Sequence, residues 1–339
     1  MRATQQDIAR IANVSQATVS RVVSGDERVE PTIRDRVLAV MREQNYQADV
    51  RARSLRQKRT GLIGLVLKRP SGGLGSDPFF GTLTAEIMDC LSGRPYHLCL
   101  DMVTSEDSEH AVYDEMLRSR RVDGLILVES EARDDRITRL QEDLFPFVLI
   151  GNARGEAIFS VDNDNVLAGE MATSHLFSNG YRRVGFIAGP PGLTVSEDRL
   201  EGYLNVVRCR GGRPLVWHSA FGPDAARQVA MEALCGDERP DALVVLDDWM
   251  AFGVVLAARG LGLHPPRDLG LVGFNDTPLC HLIDGGLSSV SLNIRHIVQT
   301  SVRQLLEILD AKGELTPVRH IVPCELRARG SSRPREAQA

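Results

Sequence analysis

Hydrophobic positions follow two different periods along this chain, and the change falls near residue 60. Up to residue 43 the apolar residues recur at helical spacing. Ile8, Ala9, Ile11 and Ala12 line one face of a first helix, opened by Thr4 and Asp7 as a capping box with Asp in the usual Glu place. Asn13 tolerates the left-handed backbone at a helix end, and Ser15 is placed to cap a second helix. There Val19, Val22 and Val23 face inward while Gln16, Ala17, Ser20 and Arg21 stay outside. A third helix fits Thr32 to Glu43, with Ile33, Val37, Val40 and Met41 on its inner stripe.

From Gly61 onward, short apolar runs alternate with helical patterns. GLIGLVL, HLCLDM, DGLILV and FVLIG read as strands, with helices between them, one from about Phe79 to Leu91. The alternation restarts at IFSVD and continues through RVGFIAG, PLVWH, DALVVL and LGLVGF. Runs such as GLIGLVL lack alternation, as in a strand buried on both faces of a parallel sheet. Repeated βα units predict parallel sheets with helices on both sides, and two series predict two Rossmann-like lobes. SSVSLN, a helix from Ile294 to Leu309 and VRHIVP close the pattern, and SSRPREAQA reads as a frayed tail.

Three short helices with a tight turn suit a helix-turn-helix module, whose second helix enters the DNA major groove. The alternative is a small helical subdomain with a merely solvated polar face. Charge favours DNA: residues 1–60 hold 12 Lys and Arg against 7 Asp and Glu, while the remainder holds 28 against 38. A basic head on an acidic body, inside a net charge of -5, means that only the head is suited to a polyanion. Six cysteines without CxxC or metal-ligand spacing point to a reducing compartment. No signal region or membrane-length apolar run is legible, so a cytoplasmic protein without membrane attachment is expected, with no metal or other cofactor.

The run DIARIANVSQATVSRVVSG closely resembles the opening of the lactose-repressor (LacI/GalR-type) family of bacterial transcription regulators. The resemblance extends from Thr4 to Ser332 through RVDGLILV, SVDNDNVLAGEMATSHLFSNGYRRVGFIAG, RLEGY, PDALVVLDDWMAFG and DLGLVGFNDTPL. It implies an α/β fold with a helix-turn-helix head (residues 1–46), a hinge helix (47–60) and a two-lobe body like periplasmic sugar-binding proteins. By the same resemblance, residues 61–159 and 290–319 form the lobe near DNA, 160–289 and 320–331 the distal lobe, and 332–339 a flexible tail. On the head, Gln16, Ala17 and Arg21 are positioned for base edges, and Thr4, Ser15, Thr18 and Ser20 for phosphates.

Residues 46–60, YQADVRARSLRQKRT, read either as a solvated basic linker or as a short helix that orders on DNA. Tyr46, Ala52, Arg53, Leu55 and Arg56 match the family's hinge, which implies that paired hinges of a dimer enter the minor groove and that Leu55 wedges a base step. Ala48 and Asp49 stand where the family commonly has Pro and Asn, and an acid there opposes phosphate.

Ligands of open α/β sheets sit beyond the carboxyl ends of the strands. The first such loop, PSGGLGSDPFF, has glycines able to cradle phosphate but lacks Lys-Ser/Thr and GxGxxG. Asp77, Phe79 and Phe80 resemble the family's cleft-mouth DPFF; core packing of either phenylalanine is the competing assignment. Arg199, Asp247 and Asn275 match effector-contact positions, with Asp247 and Asn275 exchanged relative to the common family pattern, and Phe221 offers a stacking face. A fork of donors beside a carboxylate and an amide suits sugar hydroxyls; a structural Arg199–Asp247 ion pair is the alternative. Asp162, Asp164, Asp247 and Asp248 form neither a glycosidase pair nor a metal site on spacing, and no Ser-His-Asp set or nucleophile elbow can be assembled. The expectation is a dimeric or tetrameric repressor on a pseudo-palindromic operator, controlled by an uncharged or cationic sugar or polyol. A cytosolic sugar-binding protein or sugar-processing enzyme fits residues 61–339 almost as well.

Overall fold

Hydrogen bonding around Asn13 shows how the head is built. The computed structural model describes residues 3–23, 26, 28–46, 59–68, 77–103, 106–152 and 154–334, which fall into two units, residues 1–61 and 62–339. In the first unit, α1 (Gln5–Ile11) begins on Thr4, whose side chain accepts from the Asp7 amide while Asp7 accepts from the Thr4 amide at 3.0 Å. Asn13 sits at φ 53°, turning the chain so that Ser15 caps α2 (Gln16–Val23) through the Thr18 amide at 3.1 Å. With α3 (Pro31–Glu43), these helices enclose Ile8, Val19 and Val37, each fully buried. Ile11 departs from the expected inner stripe: it lies off the arc shared by positions 8, 9 and 12 and is exposed.

In the second unit, β1 (Leu62–Lys68), α4 (Pro78–Leu91), β2 (His97–Val103), α5 (Glu106–Arg118), β3 (Gly124–Val128), α6 (Asp135–Glu142), β4 (Phe147–Ile150) and β5 (Ser160–Asp162) build the first lobe. The chain then enters α7 (Asn165–Ser178), β6 (Val184–Ala188), α8 (Thr194–Cys209), β7 (Val216–His218), α9 (Pro223–Cys235), β8 (Ala242–Val245), α10 (Asp248–Gly260), β9 (Gly270–Phe274) and β10 (Ser288–Ser291). It returns as α11 (Ile294–Asp310) and β11 (Arg319–Ile321), and ends with β12 (Glu325–Arg327). The first sheet has the order β11-β5-β4-β3-β1-β2 and the second β12-β10-β9-β8-β6-β7, every pairing being parallel except β12 on β10. Apolar clusters cover both faces of each sheet, which is why the strand sequences lack alternation.

The chain crosses between lobes three times, at residues 163–164, 292–293 and 322–324. The expected lobe boundaries at 159/160, 289/290 and 319/320 therefore shift by two or three residues. β5 and β11 pair within the first sheet, while β10 pairs within the second. The expected tail also begins too early. Ser332 is buried, and its hydroxyl lies 2.6 Å from that of Ser288 and 2.7 Å from His175 Nε2. Asn163 ties the three crossings together: its amide donates to Leu292 O at 3.1 Å and Val322 O at 2.7 Å.

Candidate functional site

On the head, Gln16, Ala17 and Arg21 are exposed along α2, as are Thr4 and Ser15. The Ser15 and Thr18 hydroxyls lie 2.9 Å apart. Thr4 donates to Asp7 at 2.7 Å, and this hydrogen bond holds the Asp7 carboxyl below its ordinary range. Ser20 is a correction: it is 7% exposed rather than solvent-facing. One residue past Val19 and three before Val23, it borders the inward stripe, and the packed helices close over its small side chain. Ala52, Arg53, Leu55 and Arg56, with Ala48 and Asp49, lie outside the described residues, as does the glycine-rich run 70–76.

In the body, a cleft with a cavity volume of about 80 Å³ opens between the lobes at the carboxyl ends of their strands. Asp77, Phe79, Arg199, Phe221, Asp247 and Asn275 all line it. They come from five separate segments, Asp77 and Phe79 sharing the start of α4, and the doubly wound topology brings them together. Phe80 is the exception: 2% exposed, it packs in the first-lobe core with Leu83 and Ile87, while Phe79 meets it edge-on at 5.1 Å and faces the cleft. Adjacent helical positions point about 100° apart, so Phe79 faces this cleft while Phe80 turns into the core and borders the adjoining outer cavity instead.

Arg199 is held in place by its surroundings. Helices α7 and α8 approach so closely that a Cβ on Gly169 would fall 2.2 Å from Arg199 O, and one on Gly202 2.0 Å from Val166 O. On this floor Arg199 is 3% exposed, with its guanidinium 4.4 Å from the centre of the Phe274 ring. Nε donates to Asn165 Oδ1 at 3.0 Å and Nη1 to Leu246 O at 2.6 Å. The alternative Arg199–Asp247 ion pair does not form among the described residues. Asp247 instead caps α10, accepting from the Met250 amide at 2.6 Å. Burial pushes Arg199 down to about 10. Burial, reinforced by Asp77, pushes Asp247 up to about 7.

Asp162 continues the network: its Oδ1 accepts from Asn165 Nδ2 at 3.0 Å, and burial raises it to about 6. Asp248, beside Asp247, turns away to Thr277 and Ser289 and serves the fold. Asp164 caps α7 through the Leu167 amide at 2.9 Å. Sequence reasoning passed over Asn152, Asn163, Asn165 and Thr194, all of which line the cleft. The polar run DNDN directly after a buried strand was the available signal for two of them. It also passed over a clasp joining the lobes. There the Thr194 amide donates to Ser130 O at 2.9 Å, Ala132 donates to Gly192 O at 3.2 Å, and Asn152 Nδ2 donates to Asp198 at 3.0 Å.

A helix-turn-helix head in one chain with a two-lobe body closing on a polar cleft defines a ligand-responsive DNA-binding regulator. The model of the bacterial regulatory proteins of the lacI family matches residues 4–49, and that of the periplasmic binding protein-like domain residues 173–332. The HTH-type transcriptional regulator MalR of Streptomyces coelicolor is 34% identical over 96% of this chain and 95% of its own. The ribose operon repressor of Halalkalibacterium halodurans is 31% identical, with 97% of each chain covered. A solved complex of the transcriptional regulator CelR with cellobiose superposes with a TM-score of 0.75 at 26% identity, covering 97% of this chain and all of that one. The chain belongs to the lacI family: it is a sequence-specific DNA-binding regulator under allosteric control by a sugar-like effector. Among the described residues no helix is long and apolar enough to cross a membrane, and no cluster of His, Cys, Asp and Glu is arranged to hold a metal.

Proposed function

We propose that this regulator is a cytoplasmic repressor that binds a pseudo-palindromic operator as a homodimer, or as a tetramer of two such dimers, and responds to a small sugar or polyol. The observation that carries the reading is the convergence of Arg199, Asp247, Asn275, Asp77, Phe79 and Phe221 on one interlobe cleft. Arg199 supplies donors, Asp247 and Asn275 supply acceptors, and Phe79 and Phe221 supply flat apolar faces for a ring's C–H side. Asp77, Glu129, Asp162 and Asp247 outnumber Arg199, which disfavours a phosphate or carboxylate ligand and supports a neutral or cationic one. Relatives named for ribose and solved with cellobiose support a carbohydrate.

On DNA, Gln16, Ala17 and Arg21 read base edges, and Thr4, Ser15 and Thr18 contact phosphates. In the linker, Ala52, Arg53, Leu55 and Arg56 engage the minor groove with Leu55 as the wedge. Self-association has support in the edge strand β2, which exposes Leu100 and Met102 beside α4, itself exposing Met88. Effector held by both lobes fixes their relative rotation, and residues 47–60 carry that change to the head. The test is a footprint of full-length protein on DNA flanking its own gene, repeated with sugars and at rising salt. A protected inverted repeat that one sugar alters supports the proposal. Turnover of that sugar, or protection indifferent to every sugar, overturns it.

A further inference from the structure

The cleft does not end at the residues that surround Arg199. A second cavity adjoins it and shares Val128, Glu129 and Phe221 as common walls. This outer compartment runs away from the three crossings, under Leu67 and Lys68 at the end of β1, and is roofed from the second lobe by Pro190, Pro191 and Leu193. Its cavity volume, about 300 Å³ against about 80 Å³ for the inner one, reaches the lower end of the 300–1,000 Å³ range of small-molecule pockets, which the inner one alone does not.

The two compartments differ in chemistry. The inner one has converging polar ends: buried Arg199, Asp247 and Asp162, and half-buried Asn275. The outer one sets Leu67, Phe80, Pro190, Pro191 and Leu193 beside the charged Lys68, Glu109, Glu129, Glu131 and Arg136. Arg136 there is committed to the frame, donating to Asp134, to Glu109 at 3.1 Å and to Glu129 O at 2.9 Å. Lys68 Nζ sits 3.0 Å from Glu109, and its side chain remains 37% exposed. Apolar surfaces interleaved with charged groups offer a face for a ring's C–H side and donors and acceptors for its hydroxyls. Phe221 borders both spaces.

We infer that the effector is a two-ring glycoside, with its first ring among Arg199, Asp247 and Asn275, its linkage beside Phe221, and its second ring in the outer compartment between β1 and the Pro190–Leu193 loop. This rests on the sugar-effector reading above and adds a length requirement to it. The second ring also has a route to the response. Glu131 and Leu193 both line the outer compartment, and these residues form the antiparallel bridge that joins the lobes. A ligand filling only the inner space leaves that bridge untouched, whereas a two-ring ligand presses on both of its halves.

Titration calorimetry on the full-length protein decides the matter, with ribose, glucose, galactose and mannose set against cellobiose, maltose, lactose and melibiose. At least one disaccharide is expected to bind thirty-fold or more tighter than each of its component monosaccharides. In Pro191→Trp, at an exposed loop position that projects into the outer space, the ratio of disaccharide to monosaccharide affinity is expected to collapse toward one. A monosaccharide that binds as tightly as the disaccharide containing it overturns the inference and leaves the sugar reading standing. Failure of all eight sugars to bind protein that still holds its operator overturns both together.

Discussion

Replacing Arg199 by alanine tests the cleft most directly, because its consequences for binding and for folding are separable. The guanidinium donates two hydrogen bonds to the body, to Asn165 Oδ1 at 3.0 Å and to Leu246 O at 2.6 Å. Charged hydrogen bonds of this kind contribute about 1.5–3 kcal/mol each, gross of the cost of burying the charge. That cost is large here, since burial alone drives the group down to about 10. Removing the cation also lets Asp162 and Asp247, already raised to about 6 and about 7, take up protons instead of standing as buried uncompensated charges. The net loss of stability is therefore expected to be about 1–3 kcal/mol, a lowering of Tm by a few degrees for a body of this size. The effector loses much more. Truncating one partner of a buried charged hydrogen bond costs about 2–5 kcal/mol of affinity, or roughly thirty- to several-thousand-fold. The assay pairs calorimetry with the sugar to which wild type responds and fluorescence anisotropy on operator DNA. Arg199→Ala should lose the sugar and keep the operator. Unchanged sugar affinity would show that the ligand sits elsewhere, whatever lines this cleft.

Three further outcomes are expected. Arg21→Ala should weaken discrimination at one base pair of each half-site by about 1–3 kcal/mol while retaining salt-sensitive non-specific binding; identical sequences selected from random duplexes would refute the base-reading role. Asp247 and Asp162 have folded pKa values above their unfolded ones, so the stability they add is complete below about pH 4 and is lost as pH rises through about 6 to 7. Denaturant melts of wild type should therefore weaken between about pH 4 and 7 and level off above, and Asp247→Asn should flatten that slope; a parallel slope in the variant counts against the buried-acid account. Gly202→Ala would place a methyl 2.0 Å from Val166 O, forcing α7 from α8 at a cost of about 1–3 kcal/mol and displacing Arg199, nearly one turn away on the same helix; full stability with normal effector binding would contradict the close packing described here.

Much of this molecule is written locally. The 3.6-residue stripe of the head, the capping box at Thr4, the left-handed Asn13 and the alternation of buried strands with helices are each properties of a few neighbouring residues, and all were legible before any coordinates. Resemblance singled out Arg199, Asp247 and Asn275 from three separate motifs, and the fold brings all three, with Phe221, to one cleft. What the sequence could not determine depends on pairing between distant segments. SVD and RHI belong to the first sheet and SSVS to the second because of which strand each one meets, not because of composition. ELR, three residues long, becomes a strand only by lying antiparallel on β10. Ser331 and Ser332 read as polar tail, yet they are buried because Ser288, some forty residues earlier, supplies their partners. Phe79 and Phe80 are chemically identical, and only the placement of α4 against the sheet sends one to the cleft and the other to the core. The clasp of Ser130 on Thr194 and the turning of Arg199 toward Asn165 instead of Asp247 follow the same rule. Short-range periodicity selects each element, but the partners of a buried polar group are chosen by whichever distant segment the fold brings within hydrogen-bonding reach, and a one-dimensional pattern carries no record of that distance.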